Sequence, residues 1–228
     1  MSFSFDAKII ELFSPEAIAQ FKKMNTPAKV QDFLNSIPFN FEEDGVCTIK
    51  SPLRTVLENN AHCFEGALLG AFLLSLHGHK PLILALIASE TPLKGQGRIR
   101  DFDHCVVPFK VNGYWGALSK TNHAVLRYRE PVYKTVHELV MSYFHEYFVS
   151  DGTKTLRYYT KPLNINQVTR NWTTATEDLW EVDEALDHTD RYVVVPESQQ
   201  SSLRKADPIE IEAGNSTEWN RSKRKKGR

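Results

Sequence analysis

The chain has 228 residues, and its 28 lysines and arginines balance its 28 aspartates and glutamates, so the formal net charge at pH 7 is zero. This balance argues against a protein whose body binds nucleic acid or a membrane through a broad basic surface. The length suits one domain with a tail or two small domains, and a core of that size needs no disulfide or metal to fold.

The three cysteines, Cys47, Cys63 and Cys105, stand at irregular spacing without a Cys-x-x-Cys pair. This predicts neither a disulfide framework nor a zinc ribbon, and we expect no metal and no cofactor. No stretch reaches the roughly 18 apolar residues of a membrane span, and the first residues lack the pattern of a secretory signal. We therefore expect a cytoplasmic protein without a membrane partner, in which free thiols persist.

Serine or threonine followed by proline marks the predicted starts of the first helices. Ser14-Pro15, Thr26-Pro27 and Ser51-Pro52 each put a capping side chain before a proline at the first helical position. Asn59 and Asn60 then suit the end of the third of these helices and the N-cap of the next one.

The most apolar predicted helix runs from Cys63 to His77, with apolar residues around most of its circumference. Such a helix lies in a protein core. Gly66 and Gly70, four residues apart, allow another element to approach it closely. Its first residue, Cys63, would sit at the positive end of the helix dipole, which lowers the pKa of a thiol and favours the thiolate.

Strand patterns follow this helix. Pro81 to Ala88 is the continuous apolar run of a buried strand, and Glu90 to Arg100 has the composition of a polar loop. Asn112-Gly113 predicts a tight hairpin between strands at Asp103–Val111 and Tyr114–Leu118, because both turn positions require a positive φ.

The C-terminal half has weaker patterns. A third strand is expected at Ala124–Tyr128, ended by Glu130-Pro131. Thr135 and Glu138 form a capping-box pattern before a helix predicted from Val136 to Phe148, and a further helix is predicted from Glu177 to Leu186.

The order of a cysteine at a helix start and a histidine at the start of a later strand predicts a Cys63–His104 pair. Cys63 would be the nucleophile and His104 the general base and acid. With Val111 opposite Tyr114 in the hairpin, His104 faces Thr121, so the loop after the second strand lies where it can orient the imidazole. These are the minimum components for acyl transfer through a thioester.

The oxyanion of such a reaction would be held by the backbone N–H of Cys63 and by one donor from the loop before it. Asn59, Asn60 and His62 are the candidates for that second donor.

These motifs resemble the transglutaminase-like cysteine hydrolases of the broad papain-like group. The matching segments are Ala61–Ala67, Asp103–Val107 and Gly113–Leu118, and the resemblance covers roughly residues 50 to 130. It implies an α+β fold with a papain/transglutaminase-like core, in which helices pack on a small antiparallel sheet. It also implies thiol-dependent chemistry on the amide bond of a peptide or another amide substrate, by a peptidase, an amidase or an acyltransferase.

One position departs from the family. The family usually has an aspartate four residues after the tryptophan that corresponds to Trp115, and this chain has Ser119 there. Ser119 or Asn122 would have to orient His104, or the triad is incomplete. A serine orients the ring but adds no charge, so it stabilises imidazolium less. A non-catalytic binding or scaffold module is therefore the alternative hypothesis.

The remaining expectations concern domains and partners. We predict one transglutaminase-like domain over residues 1–196 and a disordered basic tail over 197–228, in which Lys223–Lys226 is the basic run. Nucleic-acid contact is expected at most as weak binding by this tail. Cys63 as a buried small hydrophobe and His104 as a core histidine are the simplest alternatives. The oligomeric state stays open.

Overall fold

A computed structural model of the chain describes residues 9, 11–42, 45–93 and 97–219, with the backbone alone at 90–93 and 97–100. The α-helices are α1 Pro15–Lys23, α2 Pro27–Ser36, α3 Pro52–Glu58, α4 Cys63–Ser75, α5 Val136–Met141, α6 Trp180–Asp187, α7 Glu197–Gln200 and α8 Pro208–Asn215. The strands are β1 Leu82–Ala88, β2 Glu90–Leu93, β3 Gly97–Arg100, β4 His104–Val111, β5 Tyr114–Ser119, β6 Arg129–Tyr133, β7 Leu156–Thr160, β8 Leu163–Asn164 and β9 Arg191–Val193. Phe144–Glu146 and Ile165–Gln167 are 3₁₀ turns.

The first three helices begin at the predicted caps. The hydroxyls of Ser14, Thr26 and Ser51 each accept a hydrogen bond from a backbone N–H in the first turn, and proline follows each of them. Asn59 ends α3 in the left-handed conformation, with a φ of 51°. The prediction of Asn60 as the next N-cap is wrong. His62 caps α4, because its ring lies over the first turn.

Seven strands form an antiparallel sheet in the order β6-β5-β4-β1-β7-β9, and β8 also pairs with β1. The hairpin is confirmed: Val111 lies opposite Tyr114, and φ is 51° at Asn112 and 88° at Gly113. The same register brings Ser119 opposite Val106. The structure is thus α+β, with a sheet wider than the one predicted.

The sheet separates two apolar clusters. The face towards α4 joins that helix to α1, α2 and α6 through Ile83, Cys105 and Leu118. The other face packs against α5 and the 3₁₀ turn that follows it. The continuous apolar run of β1 is buried on both faces, as predicted, and α4 lies within the core around nearly its whole circumference.

Three local predictions are wrong. The third strand is β6 at Arg129–Tyr133 and not Ala124–Tyr128, and it contains Pro131, because in the described sheet β6 is an edge strand paired with β5 and an edge strand tolerates a missing N–H. The helix predicted from Val136 ends at Met141, where the Ser142 hydroxyl donates to the Leu139 carbonyl and competes with the helical bonds. The expected loop at 90–100 contains β2 and β3, which pair with each other in an antiparallel hairpin, since a polar composition does not exclude strand pairing. Its residues 94–96 lie outside the described residues.

The predicted disorder after residue 196 is also wrong as far as the structure describes this segment. Asp207 and Glu210 form a capping box around Pro208 and start α8 despite the polar composition. The Ala206 N–H donates to the Gly152 carbonyl at 2.8 Å, and Thr217 pairs with His123. Residues 206–219 therefore pack on the body, whereas the basic run 223–226 lies outside the described residues.

No helix in the described part of the chain is long and apolar enough to cross a bilayer.

Gly66 lies where α4 packs closely against Lys120, the residue after β5, and a substitution there tests this close packing. A Cβ added at Gly66 would lie 2.2 Å from the Cβ of Lys120, an atom fixed to the backbone. We expect Gly66→Ala to lower the free energy of unfolding by about 2 kcal/mol, measured by urea denaturation.

Gly70→Ala on the same helix is the matched control. Its added Cβ meets only the tips of Leu118, Leu34 and Val107 side chains, at 3.2 to 3.3 Å. The higher helix propensity of alanine offsets that crowding, so the free energy of unfolding should change by less than about 1 kcal/mol. Equal losses in both variants would contradict the tight approach at Gly66.

Candidate active site

The N-terminus of α4 presents a cysteine directly after a histidine that caps the helix. Cys63 is the first helical residue, and it is only partly buried. Nδ1 of His62 accepts from the Phe64 N–H at 3.2 Å, and its Nε2 lies 2.7 Å from the Thr48 carbonyl oxygen. The Glu65 carboxylate closes the capping box by accepting the His62 N–H at 3.1 Å. The position of the thiol is therefore set by the cap itself.

Glu65 is completely buried and holds the preceding segment against this cap. One carboxylate oxygen accepts the Thr48 hydroxyl at 2.7 Å, and the other accepts the Asn40 amide at 3.1 Å. The Lys50 ammonium lies 3.7 Å from the same carboxylate and supplies a countercharge. The His62 Nε2 is also 3.7 Å away. A buried charge with so many donors keeps its neighbours in place.

His104 begins β4, and its hydrogen bonds define which nitrogen acts as a base. Nε2 lies 2.8 Å from the Ser119 Oγ, and the Ser119 hydroxyl donates to the Leu126 carbonyl. A hydroxyl has one proton, so Ser119 accepts from His104 and Nε2 carries the hydrogen. Nδ1 is then the nitrogen left to take the Cys63 proton, and interaction with the His104 imidazole lowers the pKa of the thiol.

The Cys63 thiol lies between two imidazole rings. Burial disfavours the thiolate, but hydrogen bonds from His104 and then His62, together with their charges, lower the pKa of Cys63 to about 5. Burial likewise opposes the His62 cation, but the hydrogen bond to Cys63 and the charge of Glu65 raise the pKa of His62 to about 9. At neutral pH the site favours a thiolate paired with imidazolium.

His62 has two roles that exclude each other at Nδ1, because a nitrogen that accepts the Phe64 N–H carries no proton. When the ring is protonated at Nδ1, the hydrogen bond from the Phe64 N–H is lost and the ring carries a positive charge beside the thiolate. From the sequence alone, His62 is predicted only as a donor to the oxyanion. Its adjacency to Cys63 at a helix start was the available signal for the larger role.

Two other residues predicted for the site, Asn122 and Asn60, bind groups other than Cys63 and His104. The Asn122 amide donates to the Trp219 carbonyl at 3.0 Å and accepts the Trp219 N–H at 2.8 Å, so both of its polar ends are engaged by the C-terminal segment. The Asn60 side chain and its carbonyl both bind the Lys50 ammonium. The structure thus brings together Cys63, His104 and Ser119 and leaves these two asparagines with other partners.

A cavity of about 660 Å³ opens beside Cys63 and His104. Its walls are rich in aromatic rings, including Phe39, Phe41, Phe64, Phe102, Tyr147, Phe148 and Trp180. Phe102 is 89% exposed and Trp180 49% exposed, so apolar surface faces the solvent next to the thiol. Ile211 and Gly214 of α8 complete one wall. The volume is that of sites for small molecules or short peptide segments.

The other cysteines differ from Cys63. Cys105 lies in the core, as predicted, and burial raises its pKa. Cys47 is exposed and lines the same cavity. Across the ranges that the structure describes, no group of three or more histidine, cysteine, aspartate and glutamate side chains is arranged to hold a metal.

No family model and no curated protein matches the chain. Among solved structures, calcium-bound LapG of Legionella pneumophila aligns at 18% identity over 49% of this chain and 56% of its own, with a TM-score of 0.28. EGTA-treated Legionella pneumophila LapG aligns at 13% identity over 78% of this chain and 81% of its own, with a TM-score of 0.34. Likenesses of this size do not establish a common fold.

The pH dependence of thiol alkylation tests the geometry around Cys63. Only the thiolate reacts with iodoacetamide, so the rate should rise with pH around a midpoint near the Cys63 pKa of about 5 and stay flat above it. His104→Ala removes the stronger of the two hydrogen bonds that lower this pKa, so the midpoint should move up towards the ordinary thiol value of about 8.5.

Mass spectrometry in a Cys47→Ser background assigns the reaction to Cys63, because that change removes the exposed thiol. Cys63→Ser is the blank. A wild-type midpoint near the ordinary thiol value would contradict the thiolate pair.

Proposed function

We propose that the chain is a cysteine hydrolase or acyltransferase that acts on amide bonds through a Cys63 thioester, with a transglutaminase-like arrangement of its site. The observation that carries the proposal is the Cys63 thiol between His104 and His62, with a lowered pKa. A buried thiol without a function has its pKa raised instead, as at Cys105.

In the first half of the reaction, the Cys63 thiolate attacks the amide carbonyl carbon and forms a tetrahedral oxyanion. The backbone N–H of Cys63 donates to this oxyanion, since the first N–H groups of a helix have no intrahelical acceptor. The second donor is assigned to the His62 ring, because its pKa is raised to about 9 and it is hydrogen-bonded to Cys63. His104 gives its Nδ1 proton to the leaving nitrogen, the C–N bond breaks, and the amine departs.

In the second half, His104 accepts a proton from water or another nucleophile at Nδ1. The activated nucleophile attacks the thioester carbonyl, the C–S bond breaks, and the Cys63 thiolate is restored. Ser119 keeps the proton of His104 on Nε2 in the neutral ring and accepts that same N–H in the imidazolium. The acceptor, water or an amine, decides between hydrolase and acyltransferase.

The cavity supports an amide substrate with an apolar group close to the scissile bond. Exposed aromatic surface at Phe102 and Trp180 would be covered by such a group. The carboxylates in the wall are already bonded: Asp101 accepts from Thr155, and Asp103 accepts the Ala88 N–H at 2.8 Å. Apolar contact, rather than ion pairing, is therefore the main recognition that the walls provide.

One observation favours the alternative, a non-catalytic binding module. Ser119 is neutral where the resembling family has a carboxylate, so the imidazolium lacks one stabilising charge. The apolar cavity would serve such a module equally well. Trapping an acyl-enzyme distinguishes the two functions.

Acyl-enzyme formation is the direct test. N-acetyl-phenylalanine p-nitrophenyl ester should acylate Cys63, and intact-protein mass spectrometry should show one added acetyl-phenylalanyl group. Release of p-nitrophenol should fall by at least about 10³-fold in Cys63→Ala and His104→Ala, because nucleophile and base act as a unit.

The aspartate analogue of the ester tests the apolar preference and should react more slowly. Cys47→Ser is the matched control for the position of the adduct, because it removes another thiol of the same cavity and the acyl group should still be found on Cys63. Unaltered turnover in Cys63→Ala, or an adduct on another residue, would refute the thioester mechanism and leave the binding module.

A further inference from the structure

The orientation of Ser119 depends on a peptide group that is itself held in an unusual conformation. The Ser119 hydroxyl donates to the Leu126 carbonyl, and Leu126 has a φ of 60°. Leucine rarely adopts this left-handed region, because its Cβ crowds the backbone. Something outside the loop must therefore hold Leu126 in place.

Glu146 supplies that hold. Its carboxylate accepts the Leu126 N–H at 2.7 Å, so the two polar groups of this one residue are fixed by Glu146 on one side and Ser119 on the other. Glu146 is the last residue of the 3₁₀ turn after α5, twenty residues further along the chain. The bond thus ties the loop between β5 and β6 to a separate element.

The Glu146 carboxylate is anchored by Arg129 at the start of β6. The guanidinium lies 2.5 Å from the carboxylate and 4.1 Å from the centre of the Tyr143 ring. It also donates to the Ser142 hydroxyl at 3.0 Å and to the Ser142 carbonyl at 3.2 Å. A guanidinium held by so many partners fixes the direction from which the carboxylate approaches Leu126.

The polarity of the Ser119 hydroxyl decides which nitrogen of His104 is the base. While the Leu126 carbonyl accepts the hydroxyl proton, Ser119 can only accept from Nε2–H, and Nδ1 faces Cys63 as a base. If that carbonyl turned away, the hydroxyl could donate to Nε2 instead. The neutral ring would then carry its proton on Nδ1, against the thiol.

We propose that Glu146 is a positioning residue that acts on His104 through the Leu126 peptide and Ser119. A carboxylate hydrogen-bonded to an imidazole fixes the tautomer of the ring directly. Glu146 has the same effect without contacting the ring, because it keeps the proton of His104 on Nε2 and leaves Nδ1 as the base for Cys63. The inference rests on the proposed Cys63–His104 pair and adds a residue that touches neither of them.

The test measures Cys63 alkylation by iodoacetamide as a function of pH, in the full chain with Cys47→Ser. Glu146→Ala should move the midpoint of the pH profile upward by about one unit, as expected for one lost hydrogen bond, and should therefore slow alkylation about tenfold below the wild-type midpoint of about 5. Glu146→Gln keeps an oxygen that can accept the Leu126 N–H, so it should retain most of the wild-type rate. A residue with only a structural role would not move the midpoint.

A double-mutant cycle separates action through Ser119 from general loosening. In a Ser119→Ala background, Glu146→Ala should cause no further slowing, because the hydroxyl whose direction it controls is gone. Glu138→Ala is the matched control: this carboxylate also accepts a backbone N–H, that of Lys134 at 2.8 Å, but is not connected to the site. It should leave rate and midpoint unchanged.

Circular dichroism melts establish that each variant is folded. If Glu146→Ala is not, Glu146→Asp carries the same test, since its shorter side chain falls short of the Leu126 N–H. A wild-type rate in the Glu146 variant, or equal slowing with and without Ser119, would overturn the inference while leaving the thiolate pair intact. An ordinary thiol in the wild type would instead overturn the proposed function.

Discussion

The arrangement around Cys63 depends on one buried negative charge. The Glu65 carboxylate has no exposed surface, and taking a charge out of water is unfavourable unless donors and a countercharge surround it. Asn40, Thr48 and Lys50 meet that requirement, and all three precede α3 in the chain. An otherwise irregular segment is thereby fixed to the first turn of α4, which places the His62 ring and the thiol.

Short-range signals account for what could be predicted from the sequence. A capping hydroxyl such as Ser51, or a turn such as Asn112-Gly113, acts within four residues, and the sequence displays both partners together. The Cys63–His104 pair was predicted from the order of the two residues along the chain and from a family resemblance, and the hairpin register placed the loop after β5 beside His104. What could not be predicted depends on distant contacts: Trp219 engages Asn122, and Arg129 reaches Glu146 across the sheet edge. The edge position of β6, which admits Pro131, also emerges only when the sheet is assembled.

The charge distribution of the site differs from that of a triad with a carboxylate. A carboxylate bonded to Nε2 of His104 would stabilise the imidazolium by its negative charge, whereas the Ser119 hydroxyl at that nitrogen is a neutral dipole. Here the His62 imidazolium also lowers the pKa of the thiol, and the buried Glu65 carboxylate lies 3.7 Å from that ring. The negative charge that supports the site therefore lies on the nucleophile helix. A charge in this position explains how a neutral residue can stand at position 119 while the thiol keeps a low pKa.

The C-terminal segment has a consequence for divergence among related chains. Ile211 and Gly214 lie in the cavity wall, and α8 is held there by a contact with the loop after β5, in which Nδ1 of His123 is hydrogen-bonded to the Gly214 carbonyl. Two separate segments of the sequence therefore determine the shape of the cavity, and a mutation can change one of them without changing the other. Relatives that kept every residue around the thiol but changed the end of the chain would present a different cavity to their ligands. Comparisons restricted to the region between residues 50 and 130 would miss such a change in selectivity.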